Sequence, residues 1–375
     1  MQPITAVTDT LARLANLRRV VQDAGYDAVA LVPSPTLLYL THVSYHLSER
    51  PIILIIPAIG DPAMIIAALE VPKIADVAPF PIRFFSYTDA EGYQGAFAQA
   101  CKALALDGKK VGVEGLKMRV LEGQLIQHHA PGCKVVSADE VITAIRLHKE
   151  PAEIAAMRQA IAISEAALET TISKVKVGMT EQQIANILLN ALAELGSGGN
   201  AFDPIVLAGS NSAQPHGVPG NTKLQDGDLL LFDFGTTTDG YPADITRTFA
   251  VGDIGEELRN VYEIVLAANM AGINAIRPGV IAQDVDRATR RVIEESGYGK
   301  YFLHRTGHGL GLDIHEAPNM VEGNLQVLEP GMVFTIEPGI YLPGKGGIRI
   351  EDNVTVTDNG VDVLTTYPKA LRVIG

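Results

Sequence analysis

Leu229-Leu230-Leu231-Phe232-Asp233-Phe234-Gly235 runs into Thr236-Thr237-Thr238-Asp239-Gly240, and the chain returns as Tyr241-Pro242-Ala243-Asp244-Ile245-Thr246-Arg247-Thr248-Phe249. Apolar and β-branched residues on both arms, with an Asp-Gly pair between them, predict a β-hairpin. Folding about the midpoint of Thr238 and Asp239 sets Asp233 opposite Asp244 on one face, because strand side chains alternate with period two. Like charges opposed on a sheet repel, and burying them unpaired costs several kcal/mol. A single strand-end carboxylate is ordinarily solvated. Two that face each other among large apolar residues need another explanation.

A second hairpin repeats the pattern. Val333-Phe334-Thr335-Ile336-Glu337 leads through Pro343-Gly344-Lys345-Gly346-Gly347 to Ile348-Arg349-Ile350-Glu351-Asp352-Asn353, with Glu337 and Glu351 equidistant from Gly344. Four carboxylates and two divalent cations cancel formally, so a pair of metal ions is the economical resolution. Between the hairpins lies Thr306-Gly307-His308-Gly309-Leu310-Gly311-Leu312-Asp313-Ile314-His315-Glu316. Glycines on both sides of His308 permit close backbone approach to a ligand or metal. The segment lacks the strand and crossover helix of a dinucleotide loop. One imidazole with carboxylates suits manganese, iron, cobalt or zinc, and the sequence does not choose among them. His216 sits in a loop stiffened by Pro215, Gly217 and Pro219.

Upstream, residues 1–150 alternate strand-like runs at 27–32, 52–56, 63–67, 83–87 and 110–113 with helical stretches at 11–24, 92–106 and 119–129. That alternation predicts an α/β layer domain. Leu147-His148-Lys149-Glu150-Pro151 breaks it, which places a boundary between an N-terminal domain, 1–147, and a C-terminal domain, 148–375. A helix then carries Ile154, Met157, Ile161, Leu168 and Ile172 along one stripe, and a second follows Thr180 with a capping-box start. Two more helices are expected at 255–276 and 281–296.

The 375 residues hold 30 Lys and Arg against 43 Asp and Glu, a net charge of −13, which disfavours nucleic acid and anionic membrane as partners. The opening MQPITAVTDT lacks the order of a signal peptide, and apolar runs such as 51–59 are too short to span a bilayer. Cys101 and Cys133 fit no zinc or disulfide framework, so a reducing, cytoplasmic setting is expected.

The acid-hairpin-acid, Gly-His-Gly and Glu337-Pro338-Gly339 segments together resemble the creatinase/prolidase/methionine aminopeptidase superfamily, peptidase family M24, over residues 147–370. Tyr39-Leu40-Thr41 and Arg50-Pro51 are similar to its creatinase-type N-terminal domain. The resemblance implies an α/β N-terminal domain followed by an α+β "pita-bread" catalytic domain. It implies a dinuclear metallopeptidase that hydrolyses Xaa-Pro bonds of di- or oligopeptides with a metal-bridging hydroxide. Asp233 would chelate one ion, Asp244 and Glu351 would bridge both, and His308 and Glu337 would complete the second ion's shell. Glu337 would also act as general base, and His216 and His315 would stabilise the substrate carbonyl as it becomes a gem-diolate. Arg349 would orient Glu351 or meet substrate charge. Manganese is the first expectation for the ions, with cobalt, iron or zinc behind it, and a homodimer is expected.

Two departures from the family pattern stand out. Ala243 replaces a small hydroxyl residue, and 316–336 contains no Lys or Arg, where prolidases commonly draw an arginine for the dipeptide carboxylate. The second leaves dipeptidase and aminopeptidase P-like preferences both open. A non-peptidase enzyme on the same fold (a creatinase-like hydrolase, an ectoine-derivative hydrolase or a sulfoniopropionate lyase) is the alternative reading. A catalytically inactive binding module is the third, and the intact set of five ligand residues speaks against it.

Overall fold

The computed structural model describes residues 10–374; residues 1–9, most of the stretch read above for a signal sequence, lie outside it. The chain divides after Arg146 into two compact units. The first contains helices α1 (Thr10–Asp23), α2 (Pro35–Thr41), α3 (Pro72–Ala75), α4 (Gln94–Ala103), α5 (Val120–His129) and α6 (Asp139–Thr143). Its strands are β1 (Ala28–Leu31), β2 (Ile53–Pro57), β3 (Ala63–Ala67), β4 (Arg83–Tyr87), β5 (Lys110–Val113) and β6 (Lys134–Ser137). They form one mixed sheet in the order β4-β3-β2-β1-β5-β6. Every residue of β1, β2 and β3 is buried, which is why these strands read as unbroken apolar runs. Each of the expected elements begins within two residues of its predicted start. Helix α2 ends just before His42; Ser34 caps it through the Leu37 amide at 3.2 Å, and Pro35 opens it. Cys101 and Cys133 are free and buried in this core.

The second unit contains helices α7 (Pro151–Ile172), α8 (Glu181–Glu194), α9 (Gly255–Ala275) and α10 (Ala282–Glu295). Its strands are β7 (Ile205–Ala208), β8 (Leu229–Phe234), β9 (Thr237–Thr238), β10 (Tyr241–Pro242), β11 (Ile245–Val251), β12 (Gly307–Gly309), β13 (Glu316–Met320), β14 (Val333–Ile336), β15 (Gly339–Leu342), β16 (Gly346–Arg349), β17 (Asp352–Thr357), β18 (Gly360–Val363) and β19 (Val373–Ile374). Pro151 starts α7, and the reciprocal Thr180–Gln183 bonds at 3.2 and 2.9 Å make the expected capping box of α8. Leu168 and Leu188 of this pair pack with Phe232 and Phe249 on the sheet β19-β11-β8-β7. Helices α9 and α10 bury Ile273 and Val285 with Phe334, Ile336 and Val354 of the sheet β13-β12-β14-β17-β18. Among the described residues, no helix is long and apolar enough to cross a membrane.

The register of the first hairpin differs from expectation. Strands β8 and β11 pair Phe234 with Ile245 and Asp233 with Thr246, while β9 and β10 pair Thr238 with Tyr241. The turn therefore falls on Asp239-Gly240, one residue later than the sequence midpoint suggested. Both residues adopt positive φ, 51° and 84°, the two-residue turn whose twist matches the flanking strands. Asp233 faces Thr246 rather than Asp244. Asp244 lies two residues before Thr246, so it keeps the same face as a diagonal neighbour.

The second hairpin holds its register about Gly344, with Ile336 opposite Asp352 and Gly339 opposite Arg349. Between those pairs the ladder breaks at the two acids. Pro338 has no N–H to give. The Glu337 amide donates instead to the Thr306 carbonyl at 2.8 Å, and the Glu351 amide to the Thr246 carbonyl at 3.1 Å. Each acid is thus bonded through its amide to a segment outside its own hairpin.

The core under the first hairpin rests on Phe232, which is fully buried and meets Phe249 edge to face at 5.8 Å. Phe232→Ala is expected to destabilise the second unit by about 3–5 kcal/mol through the cavity it leaves. Thermal unfolding followed by near-ultraviolet circular dichroism should show the lowered midpoint, while Leu325→Ala, at an exposed position, leaves it within error.

Candidate active site

A cavity of about 440 Å³ lies in the second unit, and all eight residues singled out from the sequence line it: His216, Asp233, Asp244, His308, His315, Glu337, Arg349 and Glu351. The first hairpin brings Asp233 and Asp244, and the second brings Glu337, Arg349 and Glu351. Strand β12 brings His308. Asp244, His308 and Glu351 are buried and offer ligand atoms within 4.8 Å of one another. The His308 Nε2 lies 3.5 Å from Asp244 Oδ2 and 3.3 Å from Glu337 Oε1. His216 and His315 are exposed on the wall of the cavity, and the His315 ring meets that of His308 edge to face at 4.2 Å.

The glycines around His308 have a different purpose from the one expected. A Cβ on Gly307 would sit 1.8 Å from the Thr335 carbonyl oxygen, and one on Gly309 would sit 2.1 Å from that of Ala317. The close approach they allow is to the strands on either side, β14 and β13, and not to a ligand. Because the chain is squeezed there, His308 projects from a fixed backbone position. Its Nδ1 lies 3.1 Å from the Gly309 carbonyl. A carbonyl can only accept, so the proton sits on Nδ1 and the Nε2 lone pair faces the acids.

Charge at this place is held against strong opposition. Burial, then Asp233 and Glu337, pushes the Asp244 carboxyl well above its usual range. Burial, then Asp244 and the other acids, does the same to Glu351. Glu337 is raised to about 7, mainly by burial, with Arg349 working the other way. Burial keeps His308 neutral, its pKa down at about 3. Asp233 Oδ1 and Glu351 Oε1 are buried with no hydrogen-bond partner. An orphaned carboxylate oxygen buried beside other carboxylates costs several kcal/mol, and a cation is what this donor set lacks. One neutral imidazole nitrogen and four carboxylates fit divalent metal ions.

Arg349 is part of the scaffold. It is 3% exposed and donates from Nε to Thr246 Oγ1 at 3.1 Å, from Nη1 to Tyr341 Oη at 2.7 Å, and from Nη2 to Asp233 Oδ2. Of the two roles open to it from sequence, orienting an acid fits these contacts, and that acid is Asp233 rather than Glu351. Thr246, in turn, donates to Glu351 Oε2 at 2.5 Å. Asp352, next to Glu351 in the chain, pairs with buried Arg247 at 2.7 Å and Lys369 at 2.9 Å.

Several residues here have no counterpart in the sequence reading. Asn353 clasps the backbone of Asp244, accepting from its amide at 3.1 Å and donating to its carbonyl at 2.5 Å. Asn269 donates to the Ile336 and Ile350 carbonyls at 3.0 and 3.3 Å, fixing the residues just before Glu337 and Glu351. Lys369 holds Asn269 Oδ1 at 3.0 Å. His304 and Arg305 also line the cavity. His304 is bonded to Tyr341 Oη at 2.7 Å and kept neutral by burial, with its pKa at about 4. Single amides and lysines carry no motif, and His304-Arg305 lies in an irregular loop before the glycine run.

This assembly of acids around one imidazole, on two helix-backed sheets, can be set beside known proteins. Residues 155–358 match the model of metallopeptidase family M24, and residues 13–148 match the creatinase/prolidase N-terminal domain. The chain belongs to metallopeptidase family M24. Among solved structures it is similar to an Xaa-Pro dipeptidase from Bacillus anthracis, 33% identical with a TM-score of 0.89, covering 98% of this chain and all of that one. It is similar to a dipeptidase, PepE, from Mycobacterium ulcerans, 34% identical with a TM-score of 0.91, covering 98% and 99%. It is also similar to a recombinant prolidase from Thermococcus sibiricus, 33% identical with a TM-score of 0.92, covering 98% and 100%. The second unit therefore has the pita-bread fold of this family, preceded by a creatinase-type domain, and the protein is a metallopeptidase.

Metal binding must displace protons from carboxyls held above their usual range. Titrating Mn²⁺ into EDTA-stripped protein at pH 6.5 is expected to release roughly one to two protons per chain, and fewer at pH 9, where the acids have already ionised. Calorimetry in buffers of different ionisation enthalpy reads the number directly. Asp244→Asn and Glu351→Gln should lower both the affinity and the release.

Proposed function

We propose that this metallopeptidase hydrolyses the Xaa-Pro bond of short peptides at a dinuclear metal centre. The observation that carries the reading is the convergence of Asp233, Asp244, His308, Glu337 and Glu351 on one cavity, with two buried carboxylate oxygens unpartnered. The resemblance to an Xaa-Pro dipeptidase and a prolidase along nearly the whole chain supports the substrate class. Asp233, Asp244, His308, Glu337 and Glu351 would hold the ions between them. Divalent ions there would polarise the scissile carbonyl and lower the pKa of the attacking water to give the hydroxide nucleophile.

The chain's own side chains do the rest. Glu337 accepts the proton of the attacking water and passes it to the departing proline nitrogen, as general base and then general acid. Thr335 Oγ1 donates to Glu337 Oε1 at 3.0 Å and aims the carboxylate. His315 and His216, on the exposed wall, donate to the oxygen that gains charge as the carbonyl becomes tetrahedral. Partial desolvation at the cavity wall, with Arg305 nearby, holds His315 below its ordinary pKa, so it is a neutral donor in this role. Arg349 holds Asp233 in place through its Nη2. Manganese is our assignment for the working ions, on a donor set rich in carboxylate oxygen. A cytoplasmic homodimer completes the reading, on the family resemblance and on two buried, unpaired cysteines.

A time course with Ala-Pro tests it. Activity should vanish with EDTA, return with Mn²⁺ or Co²⁺, and be lost in Asp244→Ala. His315→Ala is expected to lower kcat by about 10²- to 10³-fold with a smaller change in KM, because it stabilises charge that develops only in the transition state. Metal-dependent Ala-Pro cleavage that survives Asp244→Ala would sink the reading. Turnover of a small amidino compound or a sulfonio acid instead would favour a non-peptidase enzyme on this fold.

A further inference from the structure

A buried ion pair lies beside the cavity and takes no part in the chemistry assigned to it. Lys149 Nζ meets Glu316 Oε1, and the two side chains are 2% and 6% exposed. Taking an ammonium and a carboxylate out of water is costly, and an apolar pair of the same volume would often hold the core at least as well. Stability alone therefore does not account for the pair. What it adds is direction. Lys149 is anchored from the sheet side: its amide donates to the Gly331 carbonyl at 2.7 Å, and the Gly331 amide donates to the Val356 carbonyl at 3.0 Å. Its neighbour His148 forms a single antiparallel bridge with Met332. The ammonium also reaches the Leu147 carbonyl at 3.4 Å. A cation so placed is a fixed point to which Glu316 is drawn.

Glu316 opens β13, and the residue before it is His315. The Glu316 carboxylate packs against Gly311, in the turn that joins β12 to β13. A Cβ on Gly311 would stand 2.4 Å from Oε1 and 2.8 Å from Oε2. The near end of that turn is tied to the sheet by the Leu310 amide on the Val333 carbonyl, at 3.0 Å. Its far end is tied by Glu316. Between them the His315 side chain makes no hydrogen bond among the described residues, and its ring rests edge to face on His308 at 4.2 Å. The direction of that ring therefore comes from the backbone that carries it, and small errors in such a direction are expensive in rate. We propose that Lys149 is a positioning residue, which through the Glu316 carboxylate sets His315 where its ring meets the oxygen that gains charge. This rests on the Xaa-Pro reading above and adds the residue that places one of its donors. Without the ammonium, the buried carboxylate is left uncompensated, moves toward water and takes the turn with it.

The test follows Ala-Pro cleavage by Mn²⁺-loaded wild type, Lys149→Met, Gly311→Ala and His315→Ala, and by His315→Ala combined with each of the other two. Lys149→Met should lower kcat by about 10- to 30-fold and leave KM within about twofold, the pattern of a transition-state contact that has lost its alignment. Gly311→Ala pushes on the same carboxylate without removing a charge, and should give a similar loss. In the His315→Ala background either change should cost less than about twofold more, since the group being placed is already gone. A pair that merely supports the fold would cost the same factor in both backgrounds. Proton NMR of the Zn²⁺-loaded protein gives a readout independent of turnover. The His315 ring signal, assigned by its loss in His315→Ala, should shift in Lys149→Met and Gly311→Ala while far-ultraviolet circular dichroism stays as in wild type. Equal losses in the two backgrounds, or a His315 signal unmoved in both variants, overturn the assignment. If Lys149→Met does not fold, Gly311→Ala and its combination with His315→Ala carry both comparisons. If wild type leaves Ala-Pro uncleaved, the Xaa-Pro reading itself fails, and the His315 signal still reports on the pair separately.

Discussion

Four carboxylates held together away from water are the constraint on which the catalytic unit depends. Asp244 and Glu351 are almost wholly buried, and Asp233 and Glu337 are largely so. Mutual repulsion at this range in a medium of low polarity reaches several kcal/mol per pair. No packing of apolar side chains offsets that in the charged state. The protein contributes Arg349 and the hydroxyls of Thr246 and Thr335, and leaves two oxygens for cations to satisfy. The polar network behind the site then reads as bracing. Arg247, Asn269, Asn353 and Lys369 each hold backbone or an acid next to a residue that the charges would push apart.

The two sheets reach this centre by the same device. Each brings a hairpin whose arms carry an acid, and each has its own pair of helices behind it. Several bonds join them, and one of them is a direct exchange at the acids. The Glu351 amide leaves its ladder to bond Thr246, and the Thr246 hydroxyl bonds the Glu351 carboxylate. Thr246 is the residue opposite Asp233, so the register of the first hairpin decides which side chain meets Glu351. A slip of one residue would turn that hydroxyl to the other face.

The architecture was readable where periodicity is strong. Buried strands in the N-terminal unit announce themselves as apolar runs, and α8 announces itself by Thr180 and Gln183. The centre of the second hairpin was readable too, because a glycine-rich turn has one sensible midpoint. The first hairpin was misplaced by one residue because three threonines precede Asp239-Gly240 and blur where the strand ends. A short element such as β6 escaped because four residues hold too little pattern. The candidate acids and histidines were legible because their types are costly to group without a purpose. Arg305 was not, since an arginine in an irregular loop is ordinarily a surface residue, and only the fold shows that it lines the cavity.

Lys369 gives the bracing a temporal side. During synthesis, a chain that has emerged as far as Asn353 already holds all four acids, yet it lacks the lysine that ties Asn269 to Asp352. It also lacks β19, which closes one edge of the first sheet against β11, and the Lys369 carbonyl that receives the Tyr262 hydroxyl. Nascent polypeptide therefore carries the hydrolytic residues in an unbraced state until nearly everything downstream has left the ribosome.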